Sequence, residues 1–462
     1  MTDPLRREFG SRAKDPVLRR NLLRATDTSN AHRAAAAAER ADWEELRSRG
    51  AAIRDHTLAR LDDYLAEFIR SVEARGGRVH AARDAPAARR IVTGIARRKG
   101  ATRILKSKSM ATEEVELNRA FERLGFEPLE TDLGEYIVQL AGEAPSHITA
   151  PALHRSAEEI RDLFLARGVL PPGDRPPADR AGLARWLSLA ARRHLAPRLR
   201  EADLGITGAN FLVAETGTVV LVENEGNIRF TTTTPPAQVV LAGVEKIVPR
   251  LADLAVLLPL LVRSATGQRF PGTVSLISGP VSESLDIVLL DNRRTAALAD
   301  PGDREILRCI RCGACLNVCP VYRTAGGHAW GSPYPGPIGS LLTPLLSTRD
   351  ADRALPHASS LCGACSEVCP VRIPIVDHLL RLRARAAAAG SPASPGPLAI
   401  RVFSYLARDP RRYERATWLL RRFWGIALRA GLMKRWTRYR DAPSPAARTF
   451  RELWRDDGPP AR

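Results

Sequence analysis

Sulfur is scarce in this chain of 462 residues. It has three methionines and seven cysteines, and every cysteine lies in two short runs between positions 309 and 369. A disulfide framework is therefore not expected, because such frameworks staple small secreted domains. Seven thiols do not divide into two all-cysteine zinc sites, and their rhythm is not that of a zinc finger. Long apolar runs are missing as well. No stretch approaches the roughly 18 apolar residues of a membrane-spanning helix. The opening MTDPLRREFG has no apolar core of a signal peptide, so none is expected. Acidic residues are in deficit, 51 against 70 Lys and Arg, which leaves a net charge of +19. A basic surface suits nucleic acid, an anionic membrane or an acidic partner. No nucleic-acid-binding motif accompanies the charge, so a solvated basic surface is the plainer reading and nucleic acid is not an expected partner. No G-x-G-x-x-G follows a strand pattern, so no nicotinamide or flavin fingerprint is visible.

The cysteines that are present have a clear rhythm. The first run is Cys309-x2-Cys312-x2-Cys315-x3-Cys319-Pro320, and the second is Cys362-x2-Cys365-x3-Cys369-Pro370. The first reproduces the bacterial spacing that holds cubane iron–sulfur clusters. Thiolate is a soft donor and selects such clusters over hard cations. In two-cluster ferredoxins the fourth cysteine of a run ligates the other cluster. Applied here, Cys309, Cys312 and Cys315 share cluster 1 with Cys369, and Cys319 joins Cys362 and Cys365 at cluster 2. Cluster 2 is then one thiolate short, with Ser359 standing where the leading cysteine of the second run would be. It is a three-iron cluster, or a four-iron cluster completed by serine, water or a partner's ligand. Reduced thiolates and an oxygen-sensitive cofactor fit a cytoplasmic setting.

Four regions follow from the remaining pattern. Residues 1–75 read as helices, rich in Ala and Arg. Residues 76–295 alternate strand and helix signals, the pattern of an open α/β sheet. Strands are expected at 78–81, 103–105, 126–130, 211–214, 218–222, 274–278 and 286–290. Helices are expected at 86–99, at 113–124 with Thr112 as N-cap, at 156–167 and at 179–199. Residues 300–388 form the two-cluster module. Its loop 326–339 reads as a rigid aromatic cover in which His328 packs, hydrogen-bonds or ligates. A helix at 370–385 closes it. After a Pro-rich linker at 391–397, residues 398–462 form a basic helical tail. Arg401–Arg462 holds 16 Lys and Arg against 6 Asp and Glu. The aromatic, basic helix at 413–433 suits an anionic membrane face or a partner, or packs on its own protein.

Two stretches are candidate ligand sites in the α/β region. Lys106-Ser107-Lys108 lies between a strand and a helix N-terminus, where α/β proteins place anion-binding loops. An ordinary capped turn is the alternative. Glu215, Glu223 and Asn227 lie in a segment dense in Gly, Asn and Glu, which suits a ligand site or merely tight turns.

The chain resembles the lactate utilisation protein B family, iron–sulfur proteins that carry a LUD domain. The likeness rests on KSKSMATEEVELN at 106–118, TDLGEYIVQL at 131–140, LGITGANFLVAETGTVVLVENEGN at 204–227 and RCIRCGACLNVCPVYR at 308–323. GGHAWGSPYPGPIGSLLTPLL at 326–346 and SLCGACSEVCPVRIPI at 360–375 complete it. The resemblance implies an α/β LUD domain of the CoA-transferase and sugar-phosphate isomerase-like kind, followed by an α-helical ferredoxin-like dicluster domain. It implies two 4Fe-4S clusters on the cysteines paired as above. It implies a part in oxidising L-lactate to pyruvate beside two companion subunits, one cysteine-rich and one with a LUD domain. The alternative is a stand-alone LUD enzyme for a CoA-like or phosphorylated ligand, with structural or sensing clusters. An iron–sulfur regulator that binds nucleic acid is a third reading.

Overall fold

The computed structural model describes residues 3–389, apart from 172, 174, 175 and 178, and residues 397–458, apart from 432, 433 and 438–440. The expected linker at 391–397 falls almost wholly outside the described residues. The chain divides into two units, Met1–Ser391 and Pro392–Arg462.

The first unit opens with helices at Asp3–Arg12, Pro16–Ala38, Trp43–Ala59 and Leu61–Glu73. Asp15 starts the second of these by accepting from Val17 N and Leu18 N at 2.9 and 3.0 Å, with Pro16 at the first position, where its missing N–H costs nothing. These helices are not a separate module. Leu18, Leu22, Trp43, Leu46 and Leu58 share one apolar core with Leu316, Tyr322, Trp330 and Leu341 of the cysteine-bearing region.

Among the described residues ten strands follow: β1 (Arg78–Ala82), β2 (Arg103–Lys106), β3 (Glu127–Glu130), β4 (Leu204–Thr207), β5 (Phe211–Val213), β6 (Thr218–Glu223), β7 (Ala237–Gly243), β8 (Ile247–Val248), β9 (Thr273–Ile277) and β10 (Ser284–Leu290). Six make one sheet in the order β1-β10-β7-β4-β2-β3, with every pairing parallel. Such a sheet is covered on both faces. Every residue of β4, β7 and β10 is accordingly buried. The smaller sheet, β8-β5-β6-β9, contains the expected hairpin, turned by residues 214–217.

Several boundaries differ from the sequence pattern. The expected helix at 113–124 is two helices, Met110–Glu114 and Leu117–Arg123, broken at Glu116, whose φ is +50°. The cap is Ser109, whose Oγ accepts from Thr112 N, so Thr112 lies inside the first turn. The loop 326–339 is shorter than expected, because Gly336 begins a helix that runs to Leu346. The closing helix starts at Ile375 rather than 370, after the turn that follows Pro370.

The second unit contains helices at Pro397–Ala407, Pro410–Arg429 and Phe450–Asp457, with a shorter one at Lys434–Thr437. Asp409 caps the long one through Arg412 N at 2.8 Å. No residue of that helix is buried, and Trp418, Leu420 and Ile426 are exposed among its arginines. Among the described residues, no helix is long and apolar enough to cross a membrane.

Candidate functional site

The two cysteine runs fold alike. In each, a left-handed residue precedes a Cys-Gly-Ala-Cys turn: Arg311 at φ +62° and Leu361 at φ +58°. The glycines that follow, Gly313 and Gly363, are left-handed too, at +79° and +91°. Glycine takes this conformation without penalty, whereas Arg and Leu are strained in it. The double reversal wraps the backbone around the sulfurs. Arg311 N donates to Cys309 Sγ at 3.4 Å, and at the matching place Leu361 N donates to Ser359 Oγ at 3.1 Å. Ser359 thus stands in the second run as Cys309 stands in the first. All seven thiols are free of disulfides; Cys309 is half-buried, Cys362 exposed and the rest buried.

The thiols sort into two groups across the runs. Cys309, Cys312, Cys315 and Cys369 line one small cavity, closed by Ile338, Val371 and Ile373. Burial pushes the Cys312 thiol up, and the neighbouring charges that add to this are Cys369 and Cys309. Burial likewise lifts Cys365 to about 12, with Cys319 and Cys362 as its neighbours. Cys319 in turn faces Cys362. Thiols so buried and crowded stay protonated unless a metal takes the proton's place. This donor set suits a thiophilic cluster. Amide groups also reach the sulfurs, Ile373 N donating to Cys369 Sγ at 3.4 Å.

The amino-terminal helices hold the second run in position. Arg47 donates to Cys369 O at 3.1 and 2.9 Å and to Glu367 O at 2.6 Å. Arg47→Ala leaves these carbonyls unmet at a buried site, so it should lower stability by about 1–3 kcal/mol. Thermal unfolding of the anaerobic protein checks this; an unchanged midpoint would remove Arg47 from the cluster's support.

A second cavity, of about 300 Å³, lies at the carboxyl ends of the parallel strands, where open α/β sheets place ligands. Ser107 and Lys108 follow β2, Gly208 and Asn210 follow β4, and Glu245 and Lys246 follow β7. Glu223 and Asn227 line it from the side of the smaller sheet. Of the residues singled out in the sequence, Ser107, Lys108, Glu223 and Asn227 therefore meet here.

Lys106 and Glu215 do not line this cavity, which corrects their reading as ligand residues. Lys106 is wholly buried, paired with Glu130 at 2.7 Å and Glu113 at 2.8 Å and bonded to Thr112 Oγ1 at 3.0 Å. Burial works against its charge, but Glu113 and Glu130 more than restore it. Glu215 sits in the hairpin turn and accepts from Leu251 N at 3.0 Å. His328 Nε2 donates to Ala144 O at 2.6 Å and is not among the residues that line the four-thiol cavity.

The two cavities share a wall. Arg311 lines both, although it belongs to the first cysteine run. Its Nη2 donates to Glu245 Oε1 at 2.9 Å, and Arg294 Nε donates to Glu245 Oε2 at 2.5 Å. Arg294 also forks onto Glu114 at 2.8 and 2.7 Å, and Tyr334 OH donates to Glu114 at 2.6 Å. Burial opposes the Glu245 carboxylate, yet Arg294 and Arg311 hold it down at about 2. Lys246 is lowered to about 8 by burial and by Arg311. The sequence signal for this part of the site was a Glu-Lys pair inside an otherwise apolar run.

The LUD domain family matches residues 65–293, a 4Fe-4S dicluster domain matches 305–373, and the C-terminal domain of lactate utilisation protein B matches 387–458. Lactate utilization protein B of Bacillus cytotoxicus is 40% identical to this chain, covering 97% of it and 96% of the relative. The chain belongs to the lactate utilisation protein B family. The Bacillus thuringiensis member of that family is 39% identical over the same shares. A crystal structure of a DUF162 family protein from Deinococcus radiodurans covers half of the chain and 98% of its own length at 13% identity, and its TM-score of 0.27 is too low to carry an argument. The larger cavity is lined mostly by residues of the LUD match, with Arg311 and Tyr334 from the dicluster match, and the four-thiol cavity, Ile375 apart, lies within the dicluster match. The six-stranded sheet is the LUD domain, and the paired cysteine turns are the iron–sulfur dicluster domain.

Proposed function

We propose that this chain is the iron–sulfur electron-transfer subunit of a complex that oxidises L-lactate to pyruvate. The observation that carries the reading is the sorting of seven thiols from two runs into one group of four and one of three. In this proposal Cys309, Cys312, Cys315 and Cys369 hold one four-iron cluster. Cys319, Cys362 and Cys365 hold the second with a non-cysteine fourth ligand, and Ser359 Oγ is the nearest equivalent of the missing sulfur; a three-iron cluster is the variant of this arrangement. Such clusters supply one-electron transfer. The residues of the chain position the donors, exclude water from the inner group and offer amide hydrogens to the sulfurs, which tunes the potential.

The relatives' name supports lactate utilisation as the setting. The partners in this reading are two companion proteins, one cysteine-rich and one with a LUD domain. The basic tail, with Trp418 and Ile426 exposed, provides a peripheral contact at an anionic membrane face. Purified without air, the chain should hold about eight irons, two cubanes of four. A value near four would reject the assignment. L-lactate should bleach the cluster absorbance only when the companions are present. Bleaching of the isolated chain would instead make it a complete enzyme.

A further inference from the structure

The loop between the helices Leu133–Ala141 and Ala157–Ala166 meets the turn Gly327–Trp330 of the dicluster domain. Glu143 and His154 stand in the loop and His328 in the turn. One carboxylate oxygen and one ring nitrogen of each histidine lie within 4.8 Å of one another. The two rings meet edge-on, with centroids 4.6 Å apart, and Glu143 Oε2 is 2.9 Å from His154 Nε2. The surrounding partners fix the protons. Pro151 O can only accept, so Ser146 Oγ, 2.8 Å away, gives it its single hydrogen. Ser146 Oγ must then accept from His154 Nδ1 at 2.9 Å. The proton of the neutral ring is therefore on Nδ1, and Nε2 turns a lone pair towards a carboxylate oxygen. His328 Nε2 likewise gives its proton to Ala144 O, which leaves a lone pair on Nδ1. Burial, before any other cause, holds both rings below the ordinary imidazole range, so both are neutral at pH 7. A lone pair and a carboxylate oxygen repel at this distance unless a cation lies between them.

We infer that Glu143, His154 and His328 bind a divalent transition-metal ion of the zinc class, separate from the iron–sulfur clusters. Two imidazoles and one carboxylate are a donor set of zinc sites that keep a fourth position for water. Metal–donor lengths of about 2.0–2.2 Å set neighbouring ligand atoms of a tetrahedral site about 3.4 Å apart. His154 and Glu143 are already near that spacing, and small side-chain rotations complete it. Ser146 supports the arrangement from behind. A metal-bound histidine donates its other N–H to an oxygen that orients the ring, and Ser146 is buried and itself fixed by Pro151. Arg155 works against the ion, because its guanidinium pairs with Glu143, Nη2 with Oε1 and Nε with Oε2 at 3.3 Å. It shares the carboxylate and keeps the affinity moderate. The ion acts as a clip. Tyr322 OH, three residues after Cys319, donates to Ser146 O at 2.8 Å, and Ile148 and Thr149 of the same loop line the larger cavity. A metal on His154 and His328 pins this wall of the cavity to the module that carries Cys319. None of the three ligands is a cysteine, so the inference stands without the cluster assignment.

The test uses the full chain, purified anaerobically, treated briefly with EDTA and with its iron counted. Calorimetric titration with zinc should show one ion bound per chain. X-ray absorption at the zinc edge should show nitrogen and oxygen neighbours at about 2.0–2.2 Å and no sulfur at about 2.3 Å. Ser146→Ala should weaken zinc binding about 10–100-fold, the effect of losing a residue that orients a ligand. His154→Gln, which removes a ligand, should weaken it at least as much, with iron content and circular dichroism unchanged. Arg155→Gln should bind zinc about threefold more tightly, on the scale of an exposed ion pair. Zinc should also raise the thermal midpoint of the unmodified chain and leave that of His154→Gln where it was. No zinc on the unmodified chain, or sulfur among the zinc neighbours, overturns the site. Equal zinc binding by a folded His154→Gln overturns the ligand set. If His154→Gln does not fold, the absorption spectrum and Arg155→Gln decide. Zinc on nitrogen and oxygen in a chain without iron strikes the cluster reading and leaves this site standing.

Discussion

Cys369→Ala should abolish the cluster built mainly by the other run. Cys369 follows Cys362 and Cys365 in sequence, but it lines the cavity of Cys309, Cys312 and Cys315. Its thiol is pushed up to about 11, by burial first, with Cys309 among its neighbours. Iron should fall from about eight to about four per chain, the content of one cubane. The remaining EPR signal should be the one that Cys319→Ala removes and Cys312→Ala spares. If Cys369→Ala and Cys365→Ala gave the same surviving spectrum, the crossed arrangement would be wrong and each run would hold its own metal. Iron quantitation with EPR on the four variants separates these outcomes.

Arg294→Met should be the most destabilising single change away from the cysteines. Arg294 is 1% exposed and neutralises two buried carboxylates, Glu114 and Glu245. Removing one partner of a buried ion pair leaves its mate uncompensated, at a cost of about 3–5 kcal/mol. Glu245 is held at about 2 against an ordinary 4.5, so its contribution is fully present above about pH 4.5 and is lost as pH falls towards 2. At pH 7 the full penalty should appear as a lower denaturant midpoint. A loss below about 1 kcal/mol would mean that the network relaxes around the gap.

The cysteine module was legible because its information is local. Spacing, proline and glycine sit within a dozen residues, and the geometry of a cubane leaves few ways to arrange them. The strands β1, β2 and β3 and the hairpin of β5 and β6 were legible for the same reason. The short strand β4, Leu204–Thr207, was not, because it carries a glycine and earns its place only by pairing with β2 and β7, which are distant in sequence. The helix Leu133–Ala141 was likewise missed. The charged residues of the cavity were the hardest to assign. Residues two apart in a strand share a face, but Lys106 ends β2 and Lys108 lies in the loop beyond it, where that alternation no longer holds. One closes a buried ion network and the other faces the cavity, and nothing in their spelling says which. Arg311 was hidden differently: it sits inside a metal-binding motif, and its second duty depends on the sheet that packs behind it.

The unequal exposure of the thiols has a practical outcome. Cys362 meets solvent, whereas Cys312, Cys315 and Cys369 are buried. In the proposed two-cluster arrangement, dioxygen should therefore reach the cluster of Cys362 first and that of Cys312, Cys315 and Cys369 late. Material handled in air should pass through a long-lived half-loaded form that keeps its inner cage, brown but unable to hand electrons outward. Such samples would look like a one-cage protein to anyone who counted metal after a day on the bench.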